Sequence, residues 1–213
     1  MGRMRKSCPY DSQSIPEPPG SCRSGPLTAI TKAIQVRDTS HQSGERAILF
    51  SQFGHILEGF QLNRKNTFES VVRGNVSIQF NRVDSKLMVQ LPELIPNISF
   101  IPPTKSPVFN INVTFGTIPD LFYFDSGYAI TGTDTTHQQL MTSYVTPWTY
   151  TGDHTPAQSF ELTLDNLKWM QANELMTAII SINFGTPLTN ELIQINKHVG
   201  GGKILKVDLG DGR

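Results

Sequence analysis

Histidine and acidic side chains are the groups in this chain that could bind a metal ion or exchange protons with a substrate. The five histidines are His41, His55, His137, His154 and His198. None of them lies two or four positions from another histidine or a cysteine, as ligands of compact metal sites often do, so the spacing predicts no metal site. The best candidate for an enzyme site is the group Asp134, His137, Asp153 and His154. Two loops would have to bring this group together, and solvated loop residues are the favoured interpretation.

A glycine-rich segment near the C-terminus, Gly200–Gly202 followed by Lys203, is similar in composition to a phosphate-binding loop. That motif requires glycine where Lys197 stands, and serine or threonine where Ile204 stands. The segment is therefore interpreted as a flexible turn before the last strand. The sequence also lacks the G-x-S-x-G and H-E-x-x-H motifs of hydrolases, and we expect a non-catalytic protein that has no cofactor.

Aromatic side chains gather in the segment around Pro147, which we interpret as a loop. Tyr144, Trp148 and Tyr150 supply rings that could stack against a sugar or a protein partner. They are the candidate ligand-binding residues of a site formed by loops 134–154. The alternative interpretation is that these rings pack in the interior or cover a sheet edge.

The charge balance restricts the partners that we expect. Lysine plus arginine and aspartate plus glutamate each number 18, so the chain lacks the positive field that gathers phosphate contacts, and nucleic acid is disfavoured. Low net charge instead favours association between copies. No run of 18 apolar residues is present, so we expect no membrane insertion. No signal peptide is recognisable, and the compartment stays open, with a surface or extracellular location among the alternatives.

Residues 1–26 differ in composition from the rest and predict an extended arm. Their prolines remove backbone donors and disfavour both helix and central strand. Such an arm could add to the open sheet edge of a neighbouring copy. The candidate residues for this self-assembly are Cys8, Ile15, Pro18 and Cys22. Cys8 and Cys22 are the two cysteines of the chain, and their spacing does not decide whether they pair.

Apolar spacing predicts helices only near the start of the remaining domain, 27–213. Leu27, Ile30 and Ile34 recur at helical spacing and predict a short amphipathic helix that ends near Asp38. Residues 46–60 are apolar but contain two glycines, and we expect a helix that turns into a strand.

Alternation of apolar and polar residues predicts strands over most of the rest of the chain. The clearest signal is a hairpin whose apolar positions are Val76, Ile78, Phe80, Leu87, Val89 and Leu91. Further strands are predicted around residues 109–115, 121–124, 160–164, 176–184 and 205–209, and the aromatic stretch 121–124 is expected to be buried on both sides. The pattern predicts a mainly β protein, an antiparallel two-sheet (Ig-like) β-sandwich with a short N-terminal helix.

The order of these elements resembles a known family. A helix (LTAITKAIQV) is followed by an apolar stretch ending in HILEGFQLN and by a hairpin with a proline-rich bend (SIQFNRVDSKLMVQLPELIPNISFIPP). This order, from about Leu27 to the C-terminus, resembles an uncharacterised bacterial family, found mainly in Bacteroidetes, that has a helical N-terminal part and an Ig-like β-sandwich. Members usually begin with a longer basic helical segment where this chain has the arm. The resemblance supplies no catalytic residues and implies a structural or surface role.

Two functions follow from these patterns. The leading prediction is a non-catalytic structural protein that self-associates into an oligomer or filament by donating residues 1–26 to a neighbouring sheet edge. The alternative is a ligand-binding module that recognises a glycan or protein through loops 134–154.

Overall fold

A computed structural model describes residues 26–103, 105–124, 127–130, 141–164, 174–189 and 191–209. This part of the chain is mainly β, with antiparallel sheets and short helices near its start. The predicted fold class is confirmed in these terms, whereas the finer Ig-like assignment stays a prediction. The arm residues 1–25, together with their candidate contacts Cys8, Ile15, Pro18 and Cys22, lie outside the described residues.

The predicted first helix is present as α1, Pro26–Arg37. Proline suits the first helical position because its fixed φ matches the helix and its missing N–H has no partner there anyway. The apolar side of α1 contacts the protein through Ile34, which is fully buried.

Three shorter helices follow: α2 (Phe50–Phe53), a 3-10 helix (Gly54–Leu57) and α3 (Phe68–Val71). The prediction of a strand within residues 46–60 is wrong. In this segment only Ile48 pairs with another strand, as an isolated β-bridge to Leu121. Gly54 explains the difference: a Cβ atom at this position would lie 2.6 Å from Cδ2 of Leu175. The short helices bring this backbone close to the sheet at a point where a side chain would not fit.

The smaller sheet has three antiparallel strands in the order β1 (Ser77–Asn81), β2 (Lys86–Leu91) and β8 (Gln158–Thr163). The first two form the predicted hairpin. Alternate side chains of β2, namely Leu87, Val89 and Leu91, are buried, so one face of this sheet lies against the core.

Two long strands form the centre of the larger sheet. β3 (Val108–Ile118) and β9 (Leu175–Pro187) pair antiparallel across eleven positions. On the far side of β9 lie β10 (Ile193–Ile195) and β11 (Gly201–Asp208). On the far side of β3 lie two strands that were not predicted, whose bounds are Met141–Val145 for β6 and Thr149–Tyr150 for β7.

A separate hairpin, β4 (Leu121–Phe124) and β5 (Gly127–Ile130), lies beside α1. The hydroxyl of Tyr128 donates to the carbonyl oxygen of Arg46 at 2.9 Å and accepts a hydrogen bond from Gln35. The expectation that 121–124 is buried on both sides is wrong, because Phe124 is 50% exposed. A two-stranded hairpin outside the two packed sheets leaves part of its aromatic surface in water.

Two apolar clusters hold these layers together. The first fills the space between the sheets and includes Phe109, Phe115 and Phe184 of the larger sheet. Burying each such ring contributes about 1.5–3 kcal/mol. The second cluster lies on the other face of the larger sheet, where Ile34 and Phe50 pack against Leu175. The short helices therefore cover one end of the outer face of a β-sandwich.

Candidate functional site

The edge of the larger sheet formed by β6 and β7, called the β6 edge below, is the candidate site. β6 pairs with β3 from Asn112 opposite Val145 to Gly116 opposite Met141. β7 continues along the same side of β3 with Tyr150 opposite Val108. Within the described ranges, no strand pairs with the other side of β6 or β7.

A bulge separates β6 from β7. The N–H of Thr146 donates to the carbonyl oxygen of Ile111 at 2.9 Å, and the N–H of Ile111 donates to Oγ1 of Thr146 at 2.9 Å. The hydroxyl of Thr146 thus accepts the hydrogen bond that its main-chain carbonyl oxygen would accept in a regular ladder. Pro147 and Trp148 form the irregular part of the bulge. Pro147 has no N–H, but no ladder hydrogen bond is lost because the ladder is interrupted at this point.

The direction of the backbone groups of β6 follows from Thr146. Because its N–H faces β3 and strand residues alternate in direction, the N–H and C=O groups of Thr142 and Tyr144 also face β3. The backbone groups of Met141, Ser143 and Val145 then point away from the sheet. They form a row of donors and acceptors along the β6 edge.

Several apolar side chains of this edge are exposed. Met141 is 53% exposed, Val145 49% and Tyr150 61%. The sequence of β6, MTSYV, contains no charged residue. Charged residues, especially lysine, are a common way in which proteins prevent pairing at an open edge, and β6 lacks them.

On the opposite side of the same sheet, the edge of β11 is covered along Gly202–Ile204. Residues 59–62 run along β11, and the N–H groups of Gly59 and Leu62 donate to the carbonyl oxygens of Ile204 and Gly202 at 2.8 and 2.7 Å. The N–H of Ile204 donates back to Phe60 at 3.0 Å. The β11 edge therefore has partners from its own chain.

The glycine-rich segment belongs to this covered edge, and its interpretation as a flexible turn is wrong for Gly201 and Gly202. Both are buried residues of β11. A Cβ atom on Gly201 would lie 2.9 Å from the carbonyl oxygen of Asn66 and 3.2 Å from the amide nitrogen of Phe68. Glycine is needed here because the neighbouring backbone passes too close for a side chain.

The predicted aromatic group lies in a loop only at Trp148, since Tyr144 belongs to β6 and Tyr150 to β7. Tyr144 is opposite the core residue Val113, so its side chain is on the face between the sheets. The centroid of its ring lies 4.4 Å from the centroid of the Phe160 ring. Tyr150 is opposite Val108 on the other face. Trp148 lies on that outer face too, because its ring would be 3.2 Å from a Cβ atom on Gly185. The three rings therefore do not form one platform.

The predicted acid–histidine group is only partly within the described residues. His154 contacts Glu93, with 2.5 Å between Nε2 and Oε1, and both side chains are about half exposed. Asp134 and His137 lie outside the described residues. In the part of the chain that the structure describes, no three histidine, cysteine, aspartate or glutamate side chains lie together as metal ligands.

Two polar clusters were missed at the sequence level. Asp38 is a buried carboxylate at the end of α1. Burial raises its pKa, but hydrogen bonds from the N–H groups of Ala47 and Ser40 and from His41 outweigh this effect and lower the pKa to about 2. The bond from Ala47 connects the end of α1 to the segment that precedes α2.

The second cluster lies beside an open cleft of about 360 Å³ between α3 and β11. Nζ of Lys203 lies 2.5 Å from Oε1 of Glu69, and Gln61 donates to Oε2 of the same carboxylate at 2.6 Å. Partial burial raises the pKa of Glu69, but the bonds from Lys203 and Gln61 and the charge of Lys203 outweigh it, so the pKa lies below its ordinary value. The lysine of the glycine-rich segment is thus held in an ion pair.

The fold and the β6 edge together define a mainly β, antiparallel two-sheet protein. Among the described residues, the β11 edge of its larger sheet is covered and the β6 edge is open. No family model, no curated protein and no solved structure compared with the chain gives a match. The resemblance to the Bacteroidetes family stays a prediction. None of the helices in the described ranges is long and apolar enough to cross a membrane.

Proposed function

We propose that this chain is a non-catalytic structural protein that self-associates through the β6 edge. The observation that carries the proposal is the row of outward-facing backbone groups on Met141, Ser143 and Val145, flanked by exposed apolar side chains. The occupant of the edge is another copy of the same chain. Equal numbers of acidic and basic residues support this choice, because little net charge opposes the approach of two copies.

The test is the mass of the full chain in solution, measured by light scattering, with and without Ser143→Lys. Ser143 is exposed and its backbone groups point away from β3, so lysine there introduces a charge into the edge without disturbing the sheet. We expect the native chain to form dimers or larger species and the lysine variant to be monomeric, with a free energy of unfolding changed by less than about 0.5 kcal/mol.

The matched control is Gln79→Lys. Gln79 is an exposed residue of β1, an edge strand of the smaller sheet. This variant should keep the mass of the native chain. A native chain that is monomeric at every concentration tested would overturn the proposal, as would equal dissociation by both lysine variants.

A ligand-binding module is the second candidate, and one observation favours it. Tyr150 is 61% exposed and lies on the same outer face as Trp148, so these two rings, without Tyr144, offer a surface for a sugar or a protein. Screening soluble oligosaccharides against the native chain and Tyr150→Ala tests this idea. Binding that disappears in the variant, while the mass of the assembly is unchanged, would favour the module.

A further inference from the structure

We infer that the self-association proposed above occurs between two β6 strands, which pair antiparallel across a two-fold axis centred on Ser143. This inference rests on the proposed function and adds the partner strand, the register and the symmetry. It replaces donation of the N-terminal arm as the mode of assembly. A pair of this kind would join two larger sheets into one continuous sheet.

The backbone of β6 determines the register. The residues with outward-facing groups are Met141, Ser143 and Val145, which are evenly spaced around Ser143. In an antiparallel pair, directly opposed residues of this kind exchange both N–H···O bonds. Centring the pair on Ser143 therefore places Met141 opposite Val145 of the second copy and gives about six hydrogen bonds. In this register, each outward-facing group of β6 gains a partner.

The side chains are self-complementary in the same register. Two-fold symmetry places equivalent residues of an interface against each other, so any charge on the axis would meet its own sign. β6 has none. On the outer face Met141 meets Val145, an apolar pair, and the two Ser143 hydroxyls meet each other. On the inner face Thr142 meets Tyr144. Such cross-strand pairs each contribute modestly to pairing.

The other open edges fit less well. β1 exposes only the polar residues Gln79 and Asn81. β8 carries Glu161, whose carboxylate lies 2.8 Å from Nζ of Lys86 in β2, so two β8 edges would bring these charges together. On the larger sheet, β11 is already covered by residues 59–62. β10 has only three residues, Ile193–Ile195, and offers a shorter edge than β6.

The N-terminal arm is also a poorer partner for β6 than a second β6. Its four prolines before Pro26, at positions 9, 16, 18 and 19, lack the N–H that a ladder needs. The three longer stretches without proline, residues 1–8, 10–15 and 20–25, would each carry at least one charge into an edge that is otherwise uncharged. A second β6 has no proline and no charge.

Cross-linking of the full chain tests the pairing. Replacing Cys8 and Cys22 by serine removes the native thiols, and Ser143→Cys then adds a single cysteine on the proposed axis. Opposed residues in a hydrogen-bonded pair have Cα atoms about 5.5 Å apart, within the range for a disulfide. Mild oxidation should yield a covalent dimer as the main species on a non-reducing gel. Gln79→Cys in the same background is the matched control and should stay monomeric on the gel.

A mixed experiment tests the direction of the strands. Met141→Cys and Val145→Cys chains, each in the serine background, should cross-link efficiently to each other and poorly to themselves. Efficient linking of Met141→Cys to itself would indicate a parallel or shifted pair and overturn the inference.

The failure of the inference is distinguishable from the failure of the proposed function. If light scattering finds only monomers, self-association itself is wrong, and the inference falls with it. If the chain is oligomeric but Ser143→Cys in the native cysteine background links to Cys8 or Cys22 of another copy, peptide mapping of the covalent dimer will show arm donation. In that case the proposed function stands and β6 pairing is wrong. An oligomer with no cross-link at position 143 would overturn β6 pairing in the same way.

Discussion

The β11 edge and the β6 edge of the larger sheet differ in how they are protected, although both flank the same pair of central strands. The β11 edge is covered by residues 59–62, which form three backbone hydrogen bonds with Gly202 and Ile204. The β6 edge has no such cover among the described residues, and a bulge at Thr146–Trp148 interrupts it. Backbone partners protect the first edge, whereas β6 carries no charge and has no partner on its outer side in the described part of the chain.

The covering segment of β11 belongs to the helical N-terminal part of the domain. Residues 59–62 connect the 3-10 helix to the turn before α3, and the glycines of β11 allow this backbone to pass close to the strand. The same part of the chain covers the outer face through Ile34 and Phe50. The helical part therefore covers one side of the sandwich. The difference between the two edges supports our proposal that a second copy binds at the β6 edge.

Adding a side chain to the covered edge should have the largest effect. In Gly201→Val the new side chain would meet the backbone of Asn66 and Phe68 at 2.9–3.3 Å, and backbone cannot move aside as a flexible side chain can. We expect the free energy of unfolding to fall by about 3 kcal/mol, as measured by urea denaturation. Gly152→Val is the matched control, because no atom lies within 4 Å of its Cβ position. Similar losses in both variants would contradict this account of the covered edge.

The sequence predicted the elements whose signal is local. α1 has apolar residues at helical spacing. β2, β3 and β9 have apolar residues at alternate positions because one face of each packs in the core between the sheets. β6 was interpreted as a loop because both of its faces are partly exposed, so apolar and polar residues do not alternate along it. β7 has only two residues. A strand outside the core does not need alternating apolar and polar residues, and this alternation is the pattern by which strands are recognised.

The candidate site was harder to predict than the fold. The β11 edge is covered because residues 59–62 contact residues 202–204. These two segments lie far apart along the chain and share no local motif. An open edge is defined by the strands that do not pair with it, and this is a property of the whole topology. The exposed, uncharged composition of MTSYV is the only local signal, and it becomes informative once its place at the edge is known.

A smaller effect is expected at the bulge of the β6 edge. Thr146→Val keeps the shape of the side chain but removes the acceptor of the Ile111 N–H bond. Leaving this buried donor without a partner should cost about 1–3 kcal/mol, as measured by urea denaturation. Thr163→Val in β8 is the control, because this exposed residue lies outside the β6 edge and its hydroxyl has no hydrogen-bond partner among the described residues. An unchanged free energy in Thr146→Val would mean that the hydroxyl does not maintain the ladder.

The smallest effect should appear only in acid and should separate the two sides of the sheet. The pKa of Asp38 is lowered to about 2 from 3.8, so its carboxylate stabilises the folded state fully above pH 3.8, and this stabilisation is lost as the pH falls towards 2. We expect Asp38→Asn to show a flatter dependence of stability on pH in that window, measured by urea denaturation at each pH. β6 has no carboxylate, histidine or lysine, so Ser143→Lys should keep the native slope. If the dependence of stability on pH became equally flat in both variants, the loss of stability in acid would come from the whole fold and not from the hydrogen bonds of Asp38.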